Sequence, residues 1–296
     1  DTEVEVDSRL IVALNKNIDK AIEHNEDSNF DKAMAAEMLS LPSEAYLAEL
    51  STIIDPSAIY QAREAVRYQI ATALSDRLLS VYELNELKDS YQPTSNAKGR
   101  RALKNIALAY LMCISDEEVF SLCLNQYENA NNMTDQSTAL RLLVNSSLPG
   151  AQEAKERALA DFYSRWKDEA LVIDMWFTIQ AACSLPNNIS VVNRLLKHEA
   201  FDIANPNRCR ALVTGFTTQS VNFHSLNGSG YKFLADRVIE LNSINPMVAA
   251  RILGPLTRWH KYDEERQKLM KSQLSRILVV KGLSSDVYEI VTKSLV

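Results

Sequence analysis

Glycine and proline are scarce, at seven and eight residues in a chain of 296. That is too little turn chemistry for a many-stranded β architecture, which needs Gly, Asn or Asp at frequent tight turns. Cysteine is also sparse. Cys113, Cys123, Cys183 and Cys209 have neither the paired spacing of a zinc knuckle nor the density of a secreted disulfide framework, so they read as reduced, mostly buried thiols. No apolar run approaches the roughly 18 residues of a membrane span, and no charged-then-apolar leader opens the chain. A cytoplasmic location follows as the expectation. Cationic surface is short as well: the net charge is −6, which opposes binding to a phosphate backbone and excludes nucleic acid as an expected partner. The one short basic cluster, Lys98, Arg100 and Arg101, reads as a solvated helix face.

What the chain does have is helix signals from end to end. Leu10, Ile11, Leu14, Ile18 and Ile22 line one face after Asp7. Asp27 or Ser28 is expected to cap a helix carrying Phe30, Met34, Met38 and Leu39, and Pro42-Ser43 to start a short one. Asp55-Pro56 opens a long run through Ile59, Val66, Ile70, Leu74, Leu78 and Tyr82. After a polar stretch over 88–98, Leu103 to Met112 predict a helix. Ser115 with Glu118 predicts a capping box for the next, and Thr134 a cap for a third. Further helices are expected to end near Trp166 and to span 171–183, 231–241, 264–280 and 285–295. The start signal Asn-Pro occurs twice, at Asn205-Pro206 and Asn245-Pro246, and each interval holds a helix pair. The fold class is therefore all-α. The expected architecture is an irregular superhelix of stacked helical hairpins, α-solenoid-like in the HEAT/armadillo manner, with a large bundle as the alternative. Residues 1–296 are expected to form a single domain.

Catalytic signatures are missing. The zinc-peptidase pattern H-E-x-x-H does not occur, because His198-Glu199-Ala200-Phe201-Asp202 has Asp202 where the second His belongs. His24, His224 and His260 are scattered. There is no G-x-S-x-G elbow, Walker loop or dinucleotide fingerprint, and Gly228-Ser229-Gly230 reads as a flexible helix-start loop. Glu117-Glu118 and Glu264-Glu265 sit in first turns, where they complement the helix dipole. The expectation is no catalytic residue, no cofactor and no metal in this chain. The remaining candidates are Arg208, in the first turn after Asn205-Pro206, and Arg251, in the second turn after Asn245-Pro246. Each could bind a carboxylate or peptide carbonyls, or could form a surface ion pair.

Many dispersed blocks resemble the C-terminal domain of bacterial aminopeptidase N, the alanyl aminopeptidase of the gluzincin zinc peptidases. They include Ile53-Ile54-Asp55-Pro56, Asn131-Asn132-Met133-Thr134-Asp135, Trp176-Phe177 with Gln180, and Asn205-Pro206-Asn207-Arg208. Phe223-His224, Gly228-Ser229-Gly230-Tyr231, Asn245-Pro246, Arg251 and Tyr262-Asp263 continue the resemblance. It implies a non-catalytic domain of a longer, mostly monomeric enzyme that releases N-terminal amino acids from short peptides. Zinc and the H-E-x-x-H helix would lie upstream, in a catalytic domain of the same polypeptide over which this domain closes. The resemblance also implies that Arg208 and Arg251 face the enclosed cavity, with Met247, one turn before Arg251, touching the substrate's downstream residues. The competing expectation, from a different class, is a free-standing helical-repeat scaffold that binds a protein partner. The parent gene discriminates: an upstream frame encoding H-E-x-x-H favours the first, a start codon just before Asp1 the second.

Overall fold

A computed structural model describes residues 4–27, 29–87 and 90–296. Its regular elements are helices, and the only β feature among the described residues is an isolated bridge between Ile54 and Tyr262. The chain divides into two compact units, one of residues 1–43 and 61–159, the other of residues 44–60 and 160–296. No helix among the described residues is long and apolar enough to cross a membrane.

In the first unit, Asp7 accepts from the Arg9 amide and starts the helix Ser8–Glu23, which buries Leu14, Asn17, Ile18 and Ala21 on one face. The next helix departs from expectation. Its cap is Asp31, accepting from the Met34 amide at 2.9 Å, and Ser28 lies outside the described residues. Lys32–Met38 then buries Ala35 and Ala36 and leaves Met34 and Met38 more than half exposed. Small side chains face inward because the helix lies close to Ser95–Leu111, where a Cβ on Gly99 would stand 2.9 Å from Lys32 Cβ.

Ser95–Leu111 is buried on most sides, and its charged residues are drawn in with it. Arg101, expected in solvent, is 4% exposed, lies over the Tyr91 ring and donates to the Gln92 carbonyl. Arg100 donates to the Leu84 carbonyl at 2.7 Å, so of the basic cluster only Lys98 is exposed. Pattern reading cannot see that the carbonyl end of Ser75–Leu84 awaits Arg100 and that Tyr91 and the Gln92 carbonyl await Arg101.

The long run from Pro56 breaks at Leu74 into Pro56–Ala73 and Ser75–Leu84. Two cap assignments also shift. Ser115 takes a left-handed conformation (φ 57°) and Asp116 caps Glu117–Asn129, receiving the Glu118 and Val119 amides. Asn132, rather than Thr134, caps Met133–Asn145 through the Asp135 amide. Starting the helix earlier turns Asp135 inward, where its carboxylate accepts from Lys104 Nζ at 2.6 Å and Asn105 Nδ2 at 2.8 Å. Gln126 donates to Asn105 at 2.8 Å and closes a buried polar network, each charge in it paired.

The second unit is built mainly from packed helix pairs. Ala170–Ala181 packs on a broken helix composed of Pro206–Cys209, a π turn Arg210–Thr214 and Gly215–Thr217. The π turn widens the backbone, and the Thr178 hydroxyl bonds the Ala211 carbonyl at 3.2 Å. Ser229–Asn242 pairs with Pro246–Ile252, and Glu264–Leu278 with Ser285–Leu295. The helix start at Gly228-Ser229-Gly230 is not the flexible loop expected. A Cβ on Gly230 would fall 2.2 Å from the Phe223 carbonyl oxygen, so only glycine permits this approach, and the Asn227 side chain accepts the Ser229 amide at 2.9 Å.

Arg266 joins the ends of this unit. Buried to 4% exposure, it donates to the His224 carbonyl at 2.9 Å, the Ser57 hydroxyl at 2.9 Å and the Asp263 carboxylate at 2.6 Å. Nearby, the Ile54 amide donates to the Lys261 carbonyl at 2.7 Å. Asp55 caps the helix from Pro56 through the Ser57 and Ala58 amides.

Candidate functional site

Both Asn-Pro signals form the helix starts expected of them. The Asn205 side chain accepts the Asn207 and Arg208 amides, Asn245 accepts that of Val248, and each helix opens on proline. The arginines that follow have opposite surroundings.

Arg208 turns inward. Its Nε donates to Asp174 Oδ1 at 2.6 Å and one terminal nitrogen to the Ala200 carbonyl at 2.5 Å, while the guanidinium lies 5.1 Å from the centre of the Phe177 ring. The side chains of Arg208 and Asp174 are 10% and 17% exposed. The pair ties three segments together: Ala170–Ala181, the 198–205 turn and the start of Pro206–Cys209. Its positive charge is already neutralised, so the carboxylate anchor expected at Arg208 is occupied from within the chain.

Arg251 is exposed and makes no ion pair or side-chain hydrogen bond among the described residues. It stands on Pro246–Ile252, whose inner face buries Ala249 and Ile252. Met247, four residues earlier and therefore on the same side of the helix, is 75% exposed, and Ile244 before the cap is 48% exposed. A free guanidinium beside a flexible thioether and an aliphatic side chain can bind a carboxylate while lodging an apolar group next to it. Of the three residues expected at the substrate, the structure brings Met247 and Arg251 together and commits Arg208 to the core.

The partial zinc pattern is committed elsewhere too. The His198 ring packs among Tyr163, Trp176 and Phe177, and its Nδ1 accepts the Ala200 amide at 3.1 Å. Glu199 receives the Tyr163 hydroxyl at 3.0 Å, and Asp202 receives the Ala204 amide at 2.9 Å. No group of three His, Cys, Asp or Glu among the described residues is disposed to hold a metal ion. These donors do not fit zinc. Burial and the nearby Arg208 cation push the His198 pKa down, with Glu199 opposing.

His224, unlike the half-buried His198, lies in the core, a place the sequence left open. It is stacked on Tyr262 and shares a 2.9 Å hydrogen bond between Nδ1 and the Tyr231 hydroxyl. Burial first, and the Arg266 cation second, push its pKa down to about 3. Burial acts in the opposite direction on two internal thiols: it pushes the Cys123 pKa up to about 12 and that of Cys209 up to about 11, so neither is a nucleophile.

The blocks that carried the resemblance fall into three clusters. Ile54-Asp55-Pro56, Phe223-His224, Gly228 to Tyr231 and Tyr262-Asp263 meet around Arg266. Asn132 and Asp135 hold the network of Lys104, Asn105 and Gln126, and Trp176-Phe177 and Arg208 form the third cluster. Sequence reading missed Arg266 and Lys104 because each stands on a helix as an ordinary cation. The capping Asp263 three residues before Arg266 was the one local hint.

The whole chain, residues 1–296, matches the family described as Domain of unknown function (DUF3458_C) ARM repeats. It is 38% identical over 270 residues to aminopeptidase N of Escherichia coli (strain K12), covering 91% of this chain and 30% of that protein. To aminopeptidase N of Haemophilus influenzae it is 40% identical over 266 residues, covering 90% of this chain and 30% of that one. In structure it is similar to Legionella pneumophila aminopeptidase A, solved in complex with aspartic acid, with a TM-score of 0.82 at 29% identity. That likeness covers 97% of this chain and 35% of the other. The chain thus spans about 30% of the length of its curated relatives. The repeat description accords with the stacked helix pairs of each unit, and the expected all-α, solenoid-like class holds. The chain belongs to the DUF3458_C family of ARM-repeat domains, the helical C-terminal part of bacterial aminopeptidase N proteins.

Proposed function

We propose that this chain is the single, non-catalytic C-terminal domain of a zinc-dependent aminopeptidase that releases N-terminal amino acids from short peptides in the cytoplasm. It encloses the active-site cavity of the same, monomeric polypeptide, limits access to short peptides and anchors their downstream end. Zinc-assisted hydrolysis belongs to the upstream catalytic part, and no residue of this chain takes a step in it. The carrying observation is the unpaired, exposed guanidinium of Arg251 beside Met247, a cationic and apolar pair suited to a peptide's terminal carboxylate and last side chain. Arg208 enters as the support that fixes neighbouring helices, not as a second anchor.

The test uses the full-length polypeptide. Arg251→Ala should raise KM for a tripeptide with a free carboxylate by about tenfold, equivalent to roughly 1.4 kcal/mol of lost uniform binding, with kcat little changed. The same tripeptide as its amide should show little difference between wild type and variant. A collapse of kcat at unchanged KM, or equal losses on acid and amide, would contradict the anchor.

A further inference from the structure

We propose that an open groove in the first unit seats the stretch of polypeptide that immediately precedes this chain. The proposal rests on the reading that the chain is the C-terminal part of a longer protein. The groove runs between the helix Ser8–Glu23 and the break at Leu74, and holds about 620 Å³. Its floor is apolar, formed by Ile11, Val12, Ala73 and Leu74, and Val12 is 52% exposed although it faces a concave surface. One rim is fixed by the ion pair of Arg77 with Asp19, which Asn15 supports through a 3.3 Å hydrogen bond. Lys16 and Asp76 also line the groove and have no side-chain partner among the described residues, leaving one free charge of each sign at its edge. This is the lining of a seat for an amphipathic segment, with apolar side chains down and polar ones out.

The direction of the chain selects the occupant. Val4 accepts from Gln69 Nε2 at 2.5 Å, and the Val6 amide donates to Gln69 Oε1 at 3.3 Å, so the first described residues are held against the Pro56–Ala73 helix. Gln69 stands one helical turn, about 6 Å of rise, before Ala73 in the groove floor. Polypeptide arriving at Val4 is therefore delivered beside the groove. Relatives are about three times as long as this chain, which spans about 30% of them, so preceding polypeptide is plentiful. Tethering also answers the question of size. The ten residues that line the groove are fewer than the roughly 20–30 residues a side of a stable intermolecular interface. A segment tethered a few residues away binds at an effective concentration in the millimolar range and needs no such extent.

The test replaces Val12 with the photo-crosslinker p-benzoylphenylalanine in the full-length protein. Val12 is half exposed, so the fold is not at risk. Irradiation, digestion and mass spectrometry should recover an intramolecular crosslink to the residues directly before Asp1. A crosslink to a second copy, a crosslink to a remote part of the chain, or none at all overturns the proposal. Ala73→Glu, also exposed, should speed proteolysis at the junction several-fold with aminopeptidase activity retained; unchanged proteolysis counts against the seat. A crosslinker-bearing enzyme that is active but gives no crosslink removes the groove alone. A full-length protein without aminopeptidase activity removes the functional reading and leaves the crosslink to be judged independently.

Discussion

The turns at Asn205-Pro206 and Asn245-Pro246 are built from the same parts: an amide cap, a proline in the first helical turn and an arginine soon after. One arginine is locked between Asp174 and the Ala200 carbonyl, and the other projects unpaired beside Met247. The difference lies outside both turns. Asp174 comes from a helix 34 residues away, and nothing in the local pattern announces it. A guanidinium is a site only where tertiary structure leaves it unspent.

The sharpest way to break this contrast is to remove Asp174. Asp174→Ala strands the Arg208 charge in a mostly buried place and should cost about 3–5 kcal/mol in denaturant unfolding. The double variant Asp174→Ala with Arg208→Met should recover much of that loss. A single variant as stable as wild type would show that Arg208 is as free as Arg251.

Acid separates the two regions next. His224 is neutral in the fold, with its pKa near 3, while in the unfolded chain it titrates at about 6.5. Below about 6.5 the unfolded state therefore binds a proton that the native state refuses. Stability from this group, complete above 6.5, should fall by about 1.4 kcal/mol per pH unit as pH drops toward 3. His224→Gln should flatten that slope in unfolding experiments from pH 7 to 4. His198 acts locally and with the same sign, since its folded pKa is also lowered. Protonating Nδ1 breaks its bond to the Ala200 amide, whose own carbonyl holds Arg208. In amide NMR spectra recorded below pH 6.5, resonances around Ala200 and Arg208 should move while that of Arg251 stays in place.

The caps offer a finer comparison. Asn205→Ala and Asn245→Ala should each cost about 1 kcal/mol, the first more because Asn205 accepts two amides and Asn245 one. Equal costs, measured by thermal unfolding, would mean the second bond at Asn205 contributes nothing. The smallest effect is expected at Arg251 itself. Arg251→Ala should change stability by less than about 0.5 kcal/mol, as for a surface residue without partners, while altering KM as described above.

Helix positions were legible because caps and three-to-four spacing are local. Asn205 and Asn245 do start helices, and Ser285–Leu295 has the bounds its pattern implies. What escaped were features decided by neighbours. The one-residue break at Leu74, the inward turn of Arg101 and the close approach at Gly230 each depend on a surface that periodicity does not encode. The candidate site was half legible for the same reason. Two arginines could be named from helix starts, but choosing between them required knowing where Asp174 lies.

The bond between Arg266 and Ser57 joins residues 209 positions apart. During translation at roughly 5–20 residues per second, the Glu44–Tyr60 segment would wait on the order of 10–40 s before its partner leaves the ribosome. Throughout that interval, the segment has left the exit tunnel without the strap that will hold it. Nascent chains arrested before residue 266 should therefore recruit holdase chaperones at this early segment, and release should coincide with completion of the last two helices.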